Sequence, residues 1–275
     1  MGFYPKRNQK VISVFKLPYL QNFKKRSRRV YRYGRLGLNL LSGGAFIQSC
    51  YQFPSVSKIE GNSLNDYRLF KTWVSDLAHS MNAVVHVDGE IMVDGGMFVS
   101  NHISWLDTII LNNIKPLSFI ARHDLEQWPF LGSFTRRMES VFINRENKFH
   151  AYRSIPAIEE KLKEGSSVHL FPESTTSVGS EVLPFYPMFY EAAVRVGCRV
   201  QPLVIRYTDA QGVQLPEPAY INDDSFFDTL ERMLYVERIH AHVFFLPPLS
   251  EGLGRKELAF RSRAVIAEKL AELSS

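Results

Sequence analysis

The chain has 275 residues, 45% hydrophobic and 22% charged, a composition that excludes wholesale disorder and suits one sizeable domain with an appendage or two small domains. Its two cysteines, Cys50 and Cys198, exclude a disulfide framework and a Cys-rich metal site, and make a reducing compartment the default. The net charge of +5 hides an asymmetry: residues 1–59 carry 12 Lys and Arg and no Asp or Glu, leaving 21 basic against 28 acidic residues in the remainder.

The basic segment comes first in chain order. Its densest cluster is Lys24, Lys25, Arg26, Arg28, Arg29, Arg32 and Arg35, interleaved with Phe23, Val30, Tyr31 and Tyr33 and followed by Leu36, Leu38, Leu40, Leu41 and Phe46. Cationic heads over an apolar stripe predict an interfacial helix, and each basic residue near an anionic leaflet adds about 1 kcal/mol. A solvated basic arm and an organelle presequence are the other readings of this composition. The most apolar stretch, Leu36 to Phe53, is interrupted by Asn39, Ser42, Gly43, Gly44, Gln48 and Ser49. It falls short of the roughly 20 apolar residues that span a bilayer, so monotopic association is expected. Neither a cleaved secretory signal nor a myristoylation signal is indicated, since Lys6 stands where Ser or Thr is needed.

From about residue 66 the pattern alternates between helix and strand. Leu69, Phe70, Trp73, Leu77 and Met81 fall at helical spacing. Strands are predicted at Ala83–Val87, Met97–Ser100, Leu117–Ala121, Val141–Ile143, Val168–Phe171, Arg199–Tyr207 and His242–Leu246. Helices are predicted near Tyr152–Lys163 and Phe189–Val196, ended by Gly165 and Gly197 as left-handed caps. A last amphipathic helix carries Leu258, Val265, Ile266, Leu270 and Leu273. The fold class expected is α/β, a single mixed sheet flanked by helices. The division expected is a basic amphipathic segment over 1–65, which associates with membrane, followed by a domain over 66–275.

Four constellations could carry chemistry. In Ser100-Asn101-His102-Ile103-Ser104-Trp105-Leu106-Asp107, His102 and Asp107 can meet only if His102 precedes a helix whose first turn holds Asp107. Ser104 supports this as an N-cap, since Ser104-x-x-Asp107 has capping-box spacing. The same spacing allows a purely structural role for Asp107 at a helix N-terminus. Free imidazole titrates near pH ~6.5 and can accept a proton at neutral pH. No Gly-x-Ser-x-Gly elbow and no cysteine in an activated setting is present, which places the nucleophile on the substrate. The second constellation, Phe171-Pro172-Glu173-Ser174-Thr175-Thr176-Ser177, empties a strand into a polar rim, where open α/β sheets bind ligands. A capped turn is the plainer reading of its hydroxyls. The third, Val141-Phe142-Ile143-Asn144-Arg145, delivers an Arg suited to phosphate. In the fourth, Val200-Gln201-Pro202-Leu203-Val204-Ile205, Pro202 suggests an edge strand or a bulge. His240 and His242 share a strand face, but no third ligand at a recognised spacing accompanies them, so no metal is expected.

In this order the four constellations resemble the four sequence blocks of the glycerolipid acyltransferase family, the group that includes bacterial lysophosphatidate acyltransferases. The resemblance covers about residues 66–250 and extends to Phe119-Ile120-Ala121-Arg122-His123-Asp124-Leu125, where the family usually has Lys at the position of Arg122. It implies an O-acyltransferase of phospholipid biosynthesis without a cofactor, using acyl-CoA or acyl-ACP as co-substrate. His102 would deprotonate an acceptor hydroxyl and Asp107 would hold the imidazole. Arg122, Arg145, Glu173, Ser174 and Thr175 would bind the lysolipid acceptor, 1-acylglycerol-3-phosphate in the simplest case. The implied partners are that lysolipid, the acyl carrier and an anionic membrane surface rather than nucleic acid, and the implied location is peripheral or monotopic on the cytoplasmic face of a membrane. Two departures leave the acceptor open. Ser174 replaces the family's Gly, and Leu183-Pro184-Phe185-Tyr186-Pro187-Met188 lacks the Lys and Gly that usually follow the third block. The run Thr175-Thr176-Ser177 and the later Gln201-Pro202-Leu203-Val204-Ile205-Arg206-Tyr207 look more like members that acylate lyso-ornithine lipid or other lysolipids. A catalytically decayed membrane-binding protein, a nucleic-acid binder and a thioester hydrolase are the readings from other classes.

Overall fold

The computed structural model describes residues 17–52, 64–123, 140–143 and 148–274. Helix α1 (Leu17–Gln52) runs 36 residues, about 54 Å of helix, through the basic cluster. Gly34 and Gly37, which face open space, each weaken it by about 1 kcal/mol relative to Ala, so packing must hold it. That packing is against α2 (Leu64–Ser80), where Trp73 Nε1 donates to the Asn39 carbonyl at 3.0 Å. Part of the basic cluster is used internally. Arg32 is buried, and its guanidinium donates to the carbonyls of Leu234 (2.9 Å), Val236 and Glu237 (2.7 Å). Arg29 pairs with Glu231 at 2.7 Å and bonds Tyr235. The opposite face of α1 presents Val30, Tyr31, Leu38 and Leu41, each two-thirds exposed or more.

Seven strands form one sheet among the described residues: β1 (Ala83–Asp88), β2 (Gly96–Ser100), β3 (Ser118–Arg122), β4 (Val141–Ile143), β5 (Ser167–Leu170), β6 (Val200–Thr208) and β7 (Ile239–Phe245). All seven coincide with the expected strands to within a few residues. Their order is β1-β7-β6-β2-β5-β3-β4. The run from β6 to β4 is parallel, while β7 is antiparallel to β6 and parallel to β1, so the sheet is mixed as expected.

The remaining helices are α3 (Leu106–Ile114), α4 (Lys148–Arg153), α5 (Ile155–Lys163), α6 (Tyr190–Val196), α7 (Phe226–Tyr235) and α8 (Arg255–Glu272). Strand alternation divides the core in two. Phe98, Leu203, Ile205 and Tyr207 join the helices α1, α2, α3 and α7 on one face, and Met97, Val99, Val200 and Val204 join α4, α5, α6 and α8 on the other. Gly165 and Gly197 adopt the left-handed conformation expected of them, at φ +80° and +72°.

Three expectations change. The helix expected over Tyr152–Lys163 is interrupted at Ser154, because Pro156 has no N–H to bond the Tyr152 carbonyl and α5 starts afresh. Helix α7 was not anticipated, although Ser225 and Asp228 close a reciprocal capping box at its start (3.2 and 2.8 Å). Pro202 lies in a central strand, paired with Val99 of β2, rather than on an edge. The reason is local. Leu246 donates to the Pro202 carbonyl at 2.9 Å, and the return bond that proline cannot make is supplied by Gln201 Nε2, which donates to the Leu246 carbonyl at 2.9 Å.

Candidate active site

Parallel pairing brings the carboxyl ends of β6, β2, β5, β3 and β4 to one edge of the sheet. Strand β2 runs out into Asn101, whose side chain donates to the Ile205 carbonyl and accepts from the Ile205 amide, both at 2.9 Å. That amide pair continues the β2–β6 ladder by one step and fixes where the next residue, His102, begins.

His102 precedes α3 and Asp107 lies in its first turn. Their side chains meet, with Nδ1 2.8 Å from Asp107 Oδ2. The same oxygen accepts from the amides of Ile103 (2.8 Å) and Ser104 (3.0 Å), and Oδ1 accepts from the Tyr207 hydroxyl (2.7 Å). Asp107 is wholly buried, and a buried carboxylate survives only when its lone pairs are filled in this way. The capping box expected of Ser104 is half formed. Asp107 reaches back to the Ser104 amide, but Ser104 Oγ accepts from Leu106 at 3.2 Å, because the helix starts one residue later with Trp105 at its N-cap.

A carboxylate has no proton to give, so the Nδ1 contact places a proton on that nitrogen and leaves Nε2 as the basic atom. The ring is stacked on Phe171 at 3.8 Å, and its side chain keeps 19% of its surface open. The arrangement can therefore take a proton from a hydroxyl brought to Nε2.

Phe171 belongs to the second constellation, which follows β5. Glu173 is buried, and neither carboxyl oxygen has a hydrogen-bond partner among the described residues. Burial pushes its carboxyl up to about 8, with the charge of Asp107 adding to the effect and the nearby Leu183 and His102 amides opposing it without reaching hydrogen-bond geometry. An acid raised in the folded state stabilises the fold fully below its unfolded value, here 4.5, and loses that contribution as pH rises towards about 8. Glu173→Gln should thus retain more of its stability than wild type between about pH 5 and pH 8, as read by urea midpoints. Parallel curves for the two proteins would refute the neutral carboxyl.

Ser174, where the family resemblance leads one to expect Gly, adopts φ +61°. A non-glycine residue there is strained, so Ser174→Gly should raise unfolding stability by about 1 kcal/mol, measurable by chemical denaturation. Ser174 and Thr175 are exposed at the sheet edge, while Thr176 bonds the Tyr220 carbonyl and the Ser177 amide donates to the His102 carbonyl at 2.8 Å. These bonds tie the loop after β5 and the loop before α7 to the start of α3. Arg122 ends β3, in register with Ile143, and its side chain lies outside the described residues. Arg145 lies outside them altogether.

Sequence reasoning gives no role to Asn101 or Tyr207, and reads His169 only as an isolated residue of the core or the surface. His169 is fully buried beneath Phe171, its ring donating through Nε2 to Ser100 Oγ at 3.0 Å, since that hydroxyl is itself committed to the Asn101 carbonyl at 2.8 Å. Burial, together with the charge His102 can carry, holds its pKa down to about 3, so it stays neutral. His240 and His242 do share a face, and His86 of β1 joins them, its Nε2 2.9 Å from His240 Nδ1. The three rings stack, and among the described residues no group of three or more His, Cys, Asp or Glu side chains is placed to hold a metal ion.

The family model described as Acyltransferase matches residues 84–206, the stretch from β1 to the Arg before Tyr207. A lyso-ornithine lipid O-acyltransferase of Pseudomonas aeruginosa is 30% identical, over 72% of this chain and 77% of that protein. A 1-acyl-sn-glycerol-3-phosphate acyltransferase of Neisseria meningitidis is 32% identical, over 56% of this chain and 60% of its own. The fold is shared with the crystal structure of the 1-acyl-sn-glycerophosphate acyltransferase PlsC of Thermotoga maritima, at a TM-score of 0.67 and 18% identity, over 92% of this chain and 98% of that one. The chain belongs to the acyltransferase family, with its His-x4-Asp pair assembled at the carboxyl edge of a mixed sheet.

Proposed function

We propose that the protein transfers a fatty acyl chain from a thioester, acyl-CoA or acyl-ACP, to the free hydroxyl of a lysolipid in phospholipid synthesis. The observation that carries this reading is the buried Asp107 on Nδ1 of a part-open His102. His102 Nε2 takes the acceptor's proton, and the oxygen attacks the thioester carbonyl. The tetrahedral intermediate then collapses with cleavage of the carbon–sulfur bond, and the departing thiolate recovers the proton from the imidazolium. The Ile103 and Ser104 amides are committed to Asp107, so the donors that stabilise the oxyanion lie elsewhere. Glu173, Ser174 and Thr175, with Arg122 and Arg145, are assigned to the acceptor head group. No resident cofactor or metal is required by this chemistry.

The acceptor assigned first is 1-acylglycerol-3-phosphate. Lyso-ornithine lipid is the second reading, favoured by the runs Thr175-Thr176-Ser177 and Gln201-Pro202-Leu203-Val204-Ile205-Arg206-Tyr207 and by the larger share of this chain aligned with the Pseudomonas relative than with the Neisseria one. Presenting both lysolipids to pure protein with each thioester separates them. A strong preference for the phosphate-bearing acceptor supports the first assignment, and the reverse order supports the second.

Residues 1–65 are assigned to membrane association and 66–275 to the catalytic domain. No helix among the described residues is long and apolar enough to cross a membrane. The support for surface association is the outward row Val30, Tyr31, Leu38 and Leu41, flanked by Arg35 and by the rest of the basic segment. The cytoplasmic leaflet, being anionic, is the surface that such a segment fits.

A further inference from the structure

Nothing in the four sequence blocks points to Tyr207, yet among the described residues its hydroxyl is what holds Asp107 Oδ1, at 2.7 Å. It sits on β6, 100 residues from Asp107, with its ring wholly buried in the core beneath α3. The other oxygen, Oδ2, takes His102 and the two loop amides. We infer that Tyr207 is a positioning residue for the proton transfer: by holding Oδ1 it fixes the carboxylate plane with Oδ2 towards His102 and restrains the basicity that the carboxylate lends to the imidazole. This rests on the reading of His102 as the general base.

The chemistry has a definite direction. A hydrogen bond donated to a carboxylate draws charge from it, and a carboxylate with less charge stabilises an imidazolium less. Burial and the charge of Asp107 keep the phenol protonated well above its ordinary range, so Tyr207 remains the donor at every pH the enzyme meets. Loss of the hydroxyl should make Asp107 more basic towards His102 and raise the pH at which the imidazole loses its proton. Two other titratable groups face the pair. His169 is already neutral throughout, and Glu173 titrates near 8, on the alkaline side. The acid limb of activity therefore reports His102.

The test compares pH profiles of kcat/KM for wild type, Tyr207→Phe and a protein carrying a ring-fluorinated tyrosine at position 207. Tyr207→Phe should move the acid limb to higher pH by about half a unit and lower kcat more than it raises the acceptor KM. Fluorination acidifies the phenol, strengthens its donation and should move the limb the other way, and it preserves the ring if the Phe variant folds poorly. In an Asp107→Asn background the Tyr207→Phe shift should vanish. A folded Tyr207→Phe or fluorinated protein with a wild-type profile overturns the inference and leaves only a structural hydroxyl. His102→Ala separates the two levels. If that variant retains full activity, the general-base reading fails; if it is inactive and the Tyr207 profiles do not move, only the role of Tyr207 fails.

Discussion

Replacing His102 with Ala is expected to lower kcat by roughly 10³-fold while leaving the protein folded. A correctly placed general base contributes roughly 10²–10⁴-fold, and no neighbouring group among the described residues can substitute. Glu173 is neutral below about 8, and His169 sits sealed beneath Phe171 with its pKa near 3. The fold should tolerate the change. The His102 side chain is partly open, and Asp107 keeps its bonds from Ile103, Ser104 and Tyr207 after the imidazole is gone. Steady-state kinetics on pure protein, with thermal unfolding as the control, measure both halves. A fall in activity that merely tracks unfolding would remove the evidence for a chemical role.

Asp107→Ala should be the more damaging substitution, because it harms structure and chemistry together. It leaves the Ile103 and Ser104 amides and the Tyr207 hydroxyl buried without an acceptor. Each orphaned group costs about 1–3 kcal/mol, and removal of one member of a buried charged network typically costs about 3–5 kcal/mol. The rate should fall as well, since Nδ1 loses the acceptor that fixes its tautomer. Denaturant unfolding and activity on the same preparation would show the two losses together. Wild-type stability in Asp107→Ala would mean that the carboxylate is not the hub that its four contacts describe.

These expectations mark how far the sequence alone reaches. Short apolar runs between helical segments locate all seven strands, because central strands buried on both faces, such as β2 and β6, read as near-continuous apolar runs. Spacing likewise requires His102 to precede the helix that carries Asp107, and the structure brings the two into contact. Helix α7 escaped notice, although Ser225-x-x-Asp228 before Leu230, Met233 and Leu234 is a legible start signal. Pro202 misled because Gln201 supplies its missing donor from a side chain, which no local rule foresees. Tyr207, Asn101 and His169 were not legible for a different reason. Each acts across the sheet, 69 to 104 residues from its partner, and only the order β6-β2-β5 makes them neighbours. The basic cluster is expected to serve a membrane surface, but Arg29 and Arg32 bind α7 and the residues that follow it, and the outward row of α1 is apolar.

That outward row belongs to a sequence without a Gly-x-Ser-x-Gly elbow or an activated cysteine, and together these features favour a lipid hydroxyl as the acceptor. The measurement that bears most directly on this account follows both products of one reaction, the thiol released from an acyl thioester and the acylated lipid, with and without a lysolipid in anionic vesicles. The account predicts thiol release that depends on the lysolipid, matches the acylated lipid mole for mole and is lost in His102→Ala. Thiol release matched instead by free fatty acid, at a rate indifferent to the lysolipid, would contradict it.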